Sequence, residues 1–426
     1  MKTFSPGSIA PKTAALCSEL SRKVRAIGVP DLLVWIAGIS LALALRISLV
    51  EFKSLDFYAA LKPWYNTIMA QGFSAFRTGF STYNPPYLYL LYLIARCIPD
   101  VPVVLAVKLP ALVADFVCAY VVYLIVRTHS SGGKTVAALA AMTVLFAPSV
   151  VLNGAFWGQA DSVYAAGVLA CVYLLMVRRP GLAMISFGIA LAFKLQAVFL
   201  APVLLALVLK GNVPWKTLLF IPLILFMAVV PSWVAGRPLN ELLNVYAYQA
   251  SQFEFITMNA PSVYAWLPDT KRIFNLMYAP GVIMGAAAAF MWFVLVYTSR
   301  RDIEGRLLLE VALVCMLVVP LFLPKMHDRY FYPADLLSIA FAFLYPGLFY
   351  VPILVGGISF LSYQPFLFER EFVPLPVLAL VLLAATAMLS YHALRQLHGG
   401  AASISSQPDD TSPRDADDHA AEAGPQ

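Results

Sequence analysis

The sequence is short of charge. Only 12% of its 426 residues are Asp, Glu, Lys or Arg, where a soluble domain carries about a quarter, so an ordinary water-soluble globule is excluded. The 29 basic and 23 acidic residues leave a formal net charge of +6. That excess is spread over short segments, with no basic patch or aromatic-basic stripe to track a phosphate backbone, which excludes nucleic acid as a partner. The five cysteines, Cys17, Cys97, Cys118, Cys171 and Cys315, are odd in number and widely scattered. Without paired spacing they exclude a zinc or redox motif and read as packing residues. The first 29 residues contain no short apolar core ending in a cleavage signature, so a removable signal peptide is not expected and the first hydrophobic run doubles as the insertion signal. Neither an internal repeat nor a second globular domain is evident.

What the chain has in abundance is hydrocarbon: 61% of residues are hydrophobic. This composition predicts an all-α, polytopic integral membrane protein. The first apolar run, 31–50, is long enough to span, and the basic arm before it (Lys2, Lys12, Arg22, Lys23, Arg25) belongs in the cytoplasm. Residues 51–101 then face the far side. Within them, Asn84-Pro85-Pro86 leads into the tyrosine-rich stretch 87–98, which could cross the membrane or lie along its surface. The loops decide. If 87–98 crossed, Arg127-Thr128-His129, Arg178-Arg179 and Arg300-Arg301 would all fall outside; if it lies flat, they fall inside, where short basic loops belong. The flat reading predicts further spans at 102–126, 135–152, 162–177, 181–194, 197–209, 217–235, 280–298, 307–323, 333–345, 348–362 and 374–392. That makes about twelve, plus interfacial helices in the first external loop. The expected organisation is a cytoplasmic arm 1–29, a transmembrane domain 30–396 and a disordered cytoplasmic tail 397–426, too polar and too poor in aromatics to fold. One further sizeable external loop is expected at 236–279.

Polar groups inside such a chain need a reason, because a charge near a helix centre costs at least about 2.5–3.5 kcal/mol. The densest cluster is Leu323-Pro324-Lys325-Met326-His327-Asp328-Arg329-Tyr330-Phe331-Tyr332, set between two apolar runs. Its cations or potential cations, Lys325, His327 and Arg329, suit an anionic phosphate whose other end is greasy. The flat topology puts this cluster on the outer face together with Asp56, Trp64 and Tyr65, with the stretch from Asn153 to Asp161, and with Phe193-Lys194-Leu195-Gln196. Residues that merely fixed topology would fall inside, so convergence on the outer face argues for a site. Taken singly the signals are weaker: Asp161 and Asp56 could each cap a helix, and Trp64, Trp157, Tyr83 and Tyr87 could be interfacial anchors as readily as sugar or prenyl platforms. Lys108 and Asp115, seven residues apart, share a helix face and suit either partners on neighbouring helices or a polar pathway.

The order Asp56, Asn84-Pro85-Pro86-Tyr87, Trp157-Gly158-Gln159-Ala160-Asp161-Ser162, Phe193-Lys194-Leu195-Gln196 and Pro324-Lys325-Met326-His327-Asp328-Arg329-Tyr330-Phe331 resembles the GT-C superfamily of lipid-phosphate-sugar glycosyltransferases. Within it, the chain looks like bacterial relatives of the second mannosyltransferase of GPI-anchor synthesis. The resemblance extends from about residue 30 to residue 395. It implies a multi-span enzyme, with its site open to the periplasm or lumen, that moves a sugar, mannose first in line, from a polyprenyl-phosphate donor to a glycan or glycolipid acceptor. The compact loops and the absence of a retention signal favour a bacterial inner membrane over an endoplasmic reticulum. It also implies that an acidic residue of the first external loop is the catalytic base. Asp56 holds that place, although the family often has a pair of acids there and this sequence has only Glu51 nearby, so Asp161 is the reserve base.

The chemistry supports those roles independently. A carboxylate can take the proton of an acceptor hydroxyl as the sugar carbon is attacked. The departing lipid phosphate needs charge stabilisation, which Arg329, His327 and Lys194 can supply, and attack opposite it inverts the anomeric centre. Trp64, Tyr87, Trp157, Gln159, Gln196, Lys325, Asp328 and Tyr330 are the expected substrate-binding residues. No metal or separate cofactor is expected, the lipid-linked sugar being a co-substrate. The competing reading is a transporter or lipid-carrier flippase with charges near the midplane between related halves; a scaffold subunit would have no shared cavity at all.

Overall fold

The computed structural model describes residues 29–251 and 253–399. The expected cytoplasmic arm and all of the expected tail beyond residue 399 lie outside the described residues. Helix α1 (Val29–Leu49) enters the bundle, and a surface layer follows: a π turn at Phe57–Leu61, α2 (Lys62–Gln71), a 3-10 turn at Gly72–Arg77 and α3 (Pro85–Cys97). The main bundle comprises α4 (Val103–His129), α5 (Gly133–Phe146), α6 (Asp161–Met176), α7 (Pro180–Phe193), α8 (Ala201–Leu209), α9 (Phe220–Val234), α10 (Lys271–Tyr297), α11 (Gly305–Phe322), α12 (Tyr332–Leu344), α13 (Val351–Phe368) and α14 (Leu375–His398).

Six helical segments among the described residues are long and apolar enough to cross a membrane, and α5 with the bent segment after it makes a seventh, broken by 49°. The expected count of twelve rested on also counting short apolar runs as full spans. Several of these, α6, α7 and Leu195–Leu209 among them, form shorter helices, and Ala147-Pro148 ends α5 because proline cannot continue its ladder. Likewise α10 begins at Lys271, nine residues before the expected 280, capped by Thr270, whose hydroxyl accepts from the Ile273 N–H. The external loop is correspondingly shorter than 236–279. Helix α3 has 13 residues, about 20 Å at 1.5 Å per residue. That falls short of about 30 Å of hydrocarbon and fits an interfacial helix.

The core gathers on α12, which is buried on nearly every residue and packs against α4, α5, α6, α11 and α13. By contrast, the segment Trp215–Val234 has only 6% of its apolar window buried. A helix apolar all round with so little covered by protein is built to face lipid.

Three buried ions position the outer surface. Lys108 Nζ lies 2.7–2.9 Å from four carbonyl oxygens, those of Val50, Phe52, Ala155 and Phe156. Helix ends leave carbonyls without intrahelical partners and carry negative partial charge. One ammonium therefore ties the end of α1, which leads to Asp56, to the π turn Leu152–Trp157, which delivers Trp157. Asp115 accepts from Arg46 Nη2 at 2.9 Å and Nε at 3.2 Å, while Arg46 Nη1 donates to the Leu145 carbonyl at 3.0 Å. The buried ions of α4 are thus partners of neighbouring segments and line no pathway. Arg46→Leu should leave the Asp115 carboxylate buried and unpaired, a loss of about 3–5 kcal/mol, visible as a large drop in the unfolding midpoint of the detergent-solubilised protein. An unchanged midpoint would contradict this account of α1 docking.

Candidate active site

Asp56 follows the turn that leaves α1. Ser54 sets its approach, donating to the Trp157 carbonyl at 3.1 Å and accepting the Phe57 N–H at 3.3 Å. Ser54, and not Asp56, therefore satisfies the first turn, and the Asp56 side chain makes no capping bond. Instead its Oδ2 accepts from Trp157 Nε1 at 2.8 Å and from Gln159 Nε2 at 2.5 Å. Between these two donors Gly158 adopts φ 87, and a Cβ there would press on the Lys108 side chain at 3.2 Å, so glycine is needed. Asp56 remains half-buried, with one carboxylate oxygen carrying both donors.

The second carboxylate lies deeper. Asp161 opens α6, where an acid suits the positive helix end. Its side chain is fully buried, with Oδ1 2.5 Å from Lys194 Nζ and Oδ2 accepting from Asn153 Nδ2 at 3.0 Å. Arg329 Nε is 3.6 Å from the same Oδ2, and the guanidinium carbon lies 5.1 Å from the Trp157 ring centre. The cations keep an opening that the acid lacks: side-chain exposure is 12% for Lys194, 14% for Arg329 and 0% for Asp161. The accessible charge is therefore positive, and Arg329 Nε, buried without a hydrogen-bond partner, retains an unused donor. Trp157 joins the two halves, its N–H on Asp56 and its ring against Arg329.

The remaining residues of the 323–332 cluster divide. Asp328 is buried and accepts the Arg329 N–H at 2.8 Å; burial pushes its carboxyl up to about 7, against the pull of Arg329. His327 pairs on β2 (Met326–His327) with β1 (Thr257–Met258), its ring edge-on to Tyr330 and Phe253. Burial, and then the positive charges of Arg329 and Lys194, hold His327 well below the usual histidine range. These surroundings disfavour the charged form that the sequence suggested. Lys325 has φ 62 and directs Nζ over Phe274 and Tyr278 at 5.5 Å, towards α10. Tyr330 is half-buried beside His327, and burial raises its phenol.

Among the aromatic candidates, Trp64 is buried with its ring 5.1 Å from that of Tyr83. Tyr87 is buried and donates to the Val107 carbonyl at 3.1 Å, a packing role behind the site. Gln196, half-buried on the 3-10 turn after Lys194, is outside the carboxylate network. Sequence reasoning gave Tyr83 only a generic aromatic role and gave none to Asn153. Tyr83 donates to Gln159 Oε1 at 2.9 Å and lies under Lys194 Nζ at 5.4 Å, which a tyrosine one residue before Asn84-Pro85-Pro86 does not reveal.

A sequence comparison places the chain: the family model of glycosyltransferase family 87 matches residues 82–324, more than half of the chain. The chain belongs to glycosyltransferase family 87. No curated protein matches it. Among solved structures, this family 87 chain is similar to ArnT from Cupriavidus metallidurans bound to undecaprenyl phosphate, with a TM-score of 0.52 and 14% identity over 85% of this chain and 78% of that one. The apo form of the same ArnT aligns over 84% and 76% at 16% identity, with a TM-score of 0.37. The first match shows a GT-C-like fold. The protein is thus an integral multi-pass membrane glycosyltransferase.

Proposed function

We propose that this family 87 enzyme moves one sugar, mannose, from a polyprenyl-phosphate carrier to a hydroxyl of a glycan or glycolipid, with inversion, on the periplasmic side of a bacterial inner membrane. The observation that carries this reading is the single indole of Trp157, which orients a half-buried carboxylate on one side and meets the Arg329 guanidinium on the other. With Oδ2 of Asp56 occupied by two donors, Oδ1 is left to take the acceptor proton. The hydroxyl oxygen forms its bond to the sugar carbon as the bond from that carbon to the phosphate oxygen breaks. The electron pair leaves with the lipid phosphate, beside Lys194 and Arg329, whose charges oppose the one that develops. Asp161, fully buried between those cations, anchors them, and the accessible Asp56 is the base. The donor is a co-substrate, and these steps call for no separate cofactor.

An apolar groove of about 340 Å³ between α3, α7 and α9, lined by Pro86, Leu90, Phe193, Ile224 and Met227 among others, supports a hydrocarbon-tailed donor. That ArnT is bound to undecaprenyl phosphate supports the same donor class, and mannose follows the likeness to relatives of the second mannosyltransferase of GPI-anchor synthesis. The transporter reading loses its support, since Lys108 and Asp115 are engaged by carbonyls and by Arg46.

Purified protein incubated with a panel of synthetic polyprenyl-phosphate sugars and acceptor glycolipids should release polyprenyl phosphate with the mannose donor. Turnover of a different lipid-linked sugar in its place would change the sugar. Turnover of nucleotide sugars with no turnover of any lipid-linked donor would sink the donor class.

A further inference from the structure

We propose that Tyr83 is a positioning residue for Asp56, acting through Gln159: its hydroxyl fixes which end of the Gln159 amide faces the carboxylate. The inference rests on the reading of Asp56 as the base. Two side chains hold the Asp56 carboxylate, and they differ in kind. The Trp157 indole N–H is a donor only and can meet a carboxylate in one sense. A glutamine amide has a donor end and an acceptor end of nearly equal size, and the acceptor end would repel the carboxylate. Gln159 is 3% exposed, so bulk water does not satisfy whichever end is left over. The group that does is Tyr83, whose hydroxyl meets Gln159 Oε1 at 2.9 Å while Gln159 Nε2 reaches Asp56 Oδ2 at 2.5 Å.

The polarity of this chain is fixed at both ends. The Asp56 carboxylate only accepts, so it takes the NH2 end of Gln159. The Tyr83 hydroxyl, which burial keeps protonated, is the group placed to donate to Oε1 and hold the amide in that sense. The Tyr83 ring is itself clamped, with Trp64 and Tyr87 each at 5.1 Å and Lys194 Nζ at 5.4 Å from its centre. The same tyrosine thus reaches the base through Gln159 by its hydroxyl and meets the phosphate-side cation with its face, and substitutions can separate these two contacts.

Tyr83→Phe keeps the ring and removes the hydroxyl. It should lower kcat by roughly 2- to 10-fold, the worth of one neutral hydrogen bond, and leave the donor KM unchanged. Because a hydrogen bond to the charged form favours that form, weakening one should move the acidic limb of the kcat profile to higher pH. Tyr83 and Asp328 are titratable groups that feel the Asp56 charge, Asp161 and Arg329 act on both in turn, and Lys194 lies over the Tyr83 ring; Tyr83→Phe leaves those other four in place. Tyr83→Leu removes the ring as well and should also raise the donor KM.

Gln159→Leu provides the second readout. If Tyr83 acts through Gln159, adding Tyr83→Phe to Gln159→Leu changes kcat no further, whereas independent roles would multiply. A smaller kcat, a shifted acidic limb and this non-additivity would establish the positioning role. Wild-type kcat and pH profile in Tyr83→Phe, or full multiplication of the two effects, would overturn it. Asp56→Asn measured alongside separates the two levels: if it is inactive while Tyr83→Phe is normal, only the positioning fails, and if Asp56→Asn is active the base reading fails first.

Discussion

Asp56→Asn should abolish turnover while leaving the donor bound and the protein folded. Asparagine fills the same space and its carbonyl oxygen can still accept the Trp157 and Gln159 hydrogen bonds at Oδ2, but it does not take a proton. The expected loss is on the order of 10²–10⁴ in kcat, the usual contribution of general-base catalysis, with donor affinity within a few-fold of wild type. A helix-cap role would predict near-normal activity, and Asp56 makes no capping bond. The companion variant Asp161→Asn should behave differently. It leaves Lys194 and Arg329 without their shared carboxylate, so the first effect should be on stability and donor affinity. An active Asp56→Asn beside a stable, inactive Asp161→Asn would transfer the base to Asp161.

Arg329→Ala should weaken donor binding most. Removing one partner of a buried charge pair costs about 2–5 kcal/mol, or roughly 30- to several-thousandfold in Kd. The fold should survive, because Asp161 keeps Lys194 and Asn153. Arg329→Lys should recover only part of the affinity, since an ammonium restores charge without the planar fork that grips phosphate or stacks on Trp157. His327→Ala should cost only a few-fold, its surroundings disfavouring the charged form. Titration of the detergent-solubilised variants with polyprenyl phosphate measures all three, and an Arg329→Ala protein with wild-type affinity would remove the phosphate role from this cluster.

Much of the fold was legible because the signals behind it are local. Twenty-odd apolar residues in a row report a membrane helix whatever surrounds them, and a proline or a basic loop reports a break or a side. The four polar islands could be named in order for the same reason: a charge among hydrocarbon is conspicuous without any knowledge of its partner. The short runs 162–177 and 181–194 were legible to within a residue of the helices they form, Asp161–Met176 and Pro180–Phe193; the count of twelve came from taking each as a full span.

The sequence by itself determined the membrane class, the helical architecture and the set of segments that meet at the site. Only the tertiary structure decided what each polar residue does there. Asp56 and Asp161 are the same chemical group, and they part company because one is half-buried under two donors from Trp157 and Gln159, about a hundred positions away, while the other is sealed between Lys194 and Arg329. The charged form of His327 is disfavoured, and Lys325 turns to the rings of α10, for reasons equally remote in the chain. Lys108 binds carbonyls from two separate segments, and the Tyr83 hydroxyl finds an amide 76 residues on. Hydropathy is a sum over neighbours in sequence, which the chain carries openly. Burial, charge state and hydrogen-bond direction depend on neighbours in space, and these arise only when the segments pack.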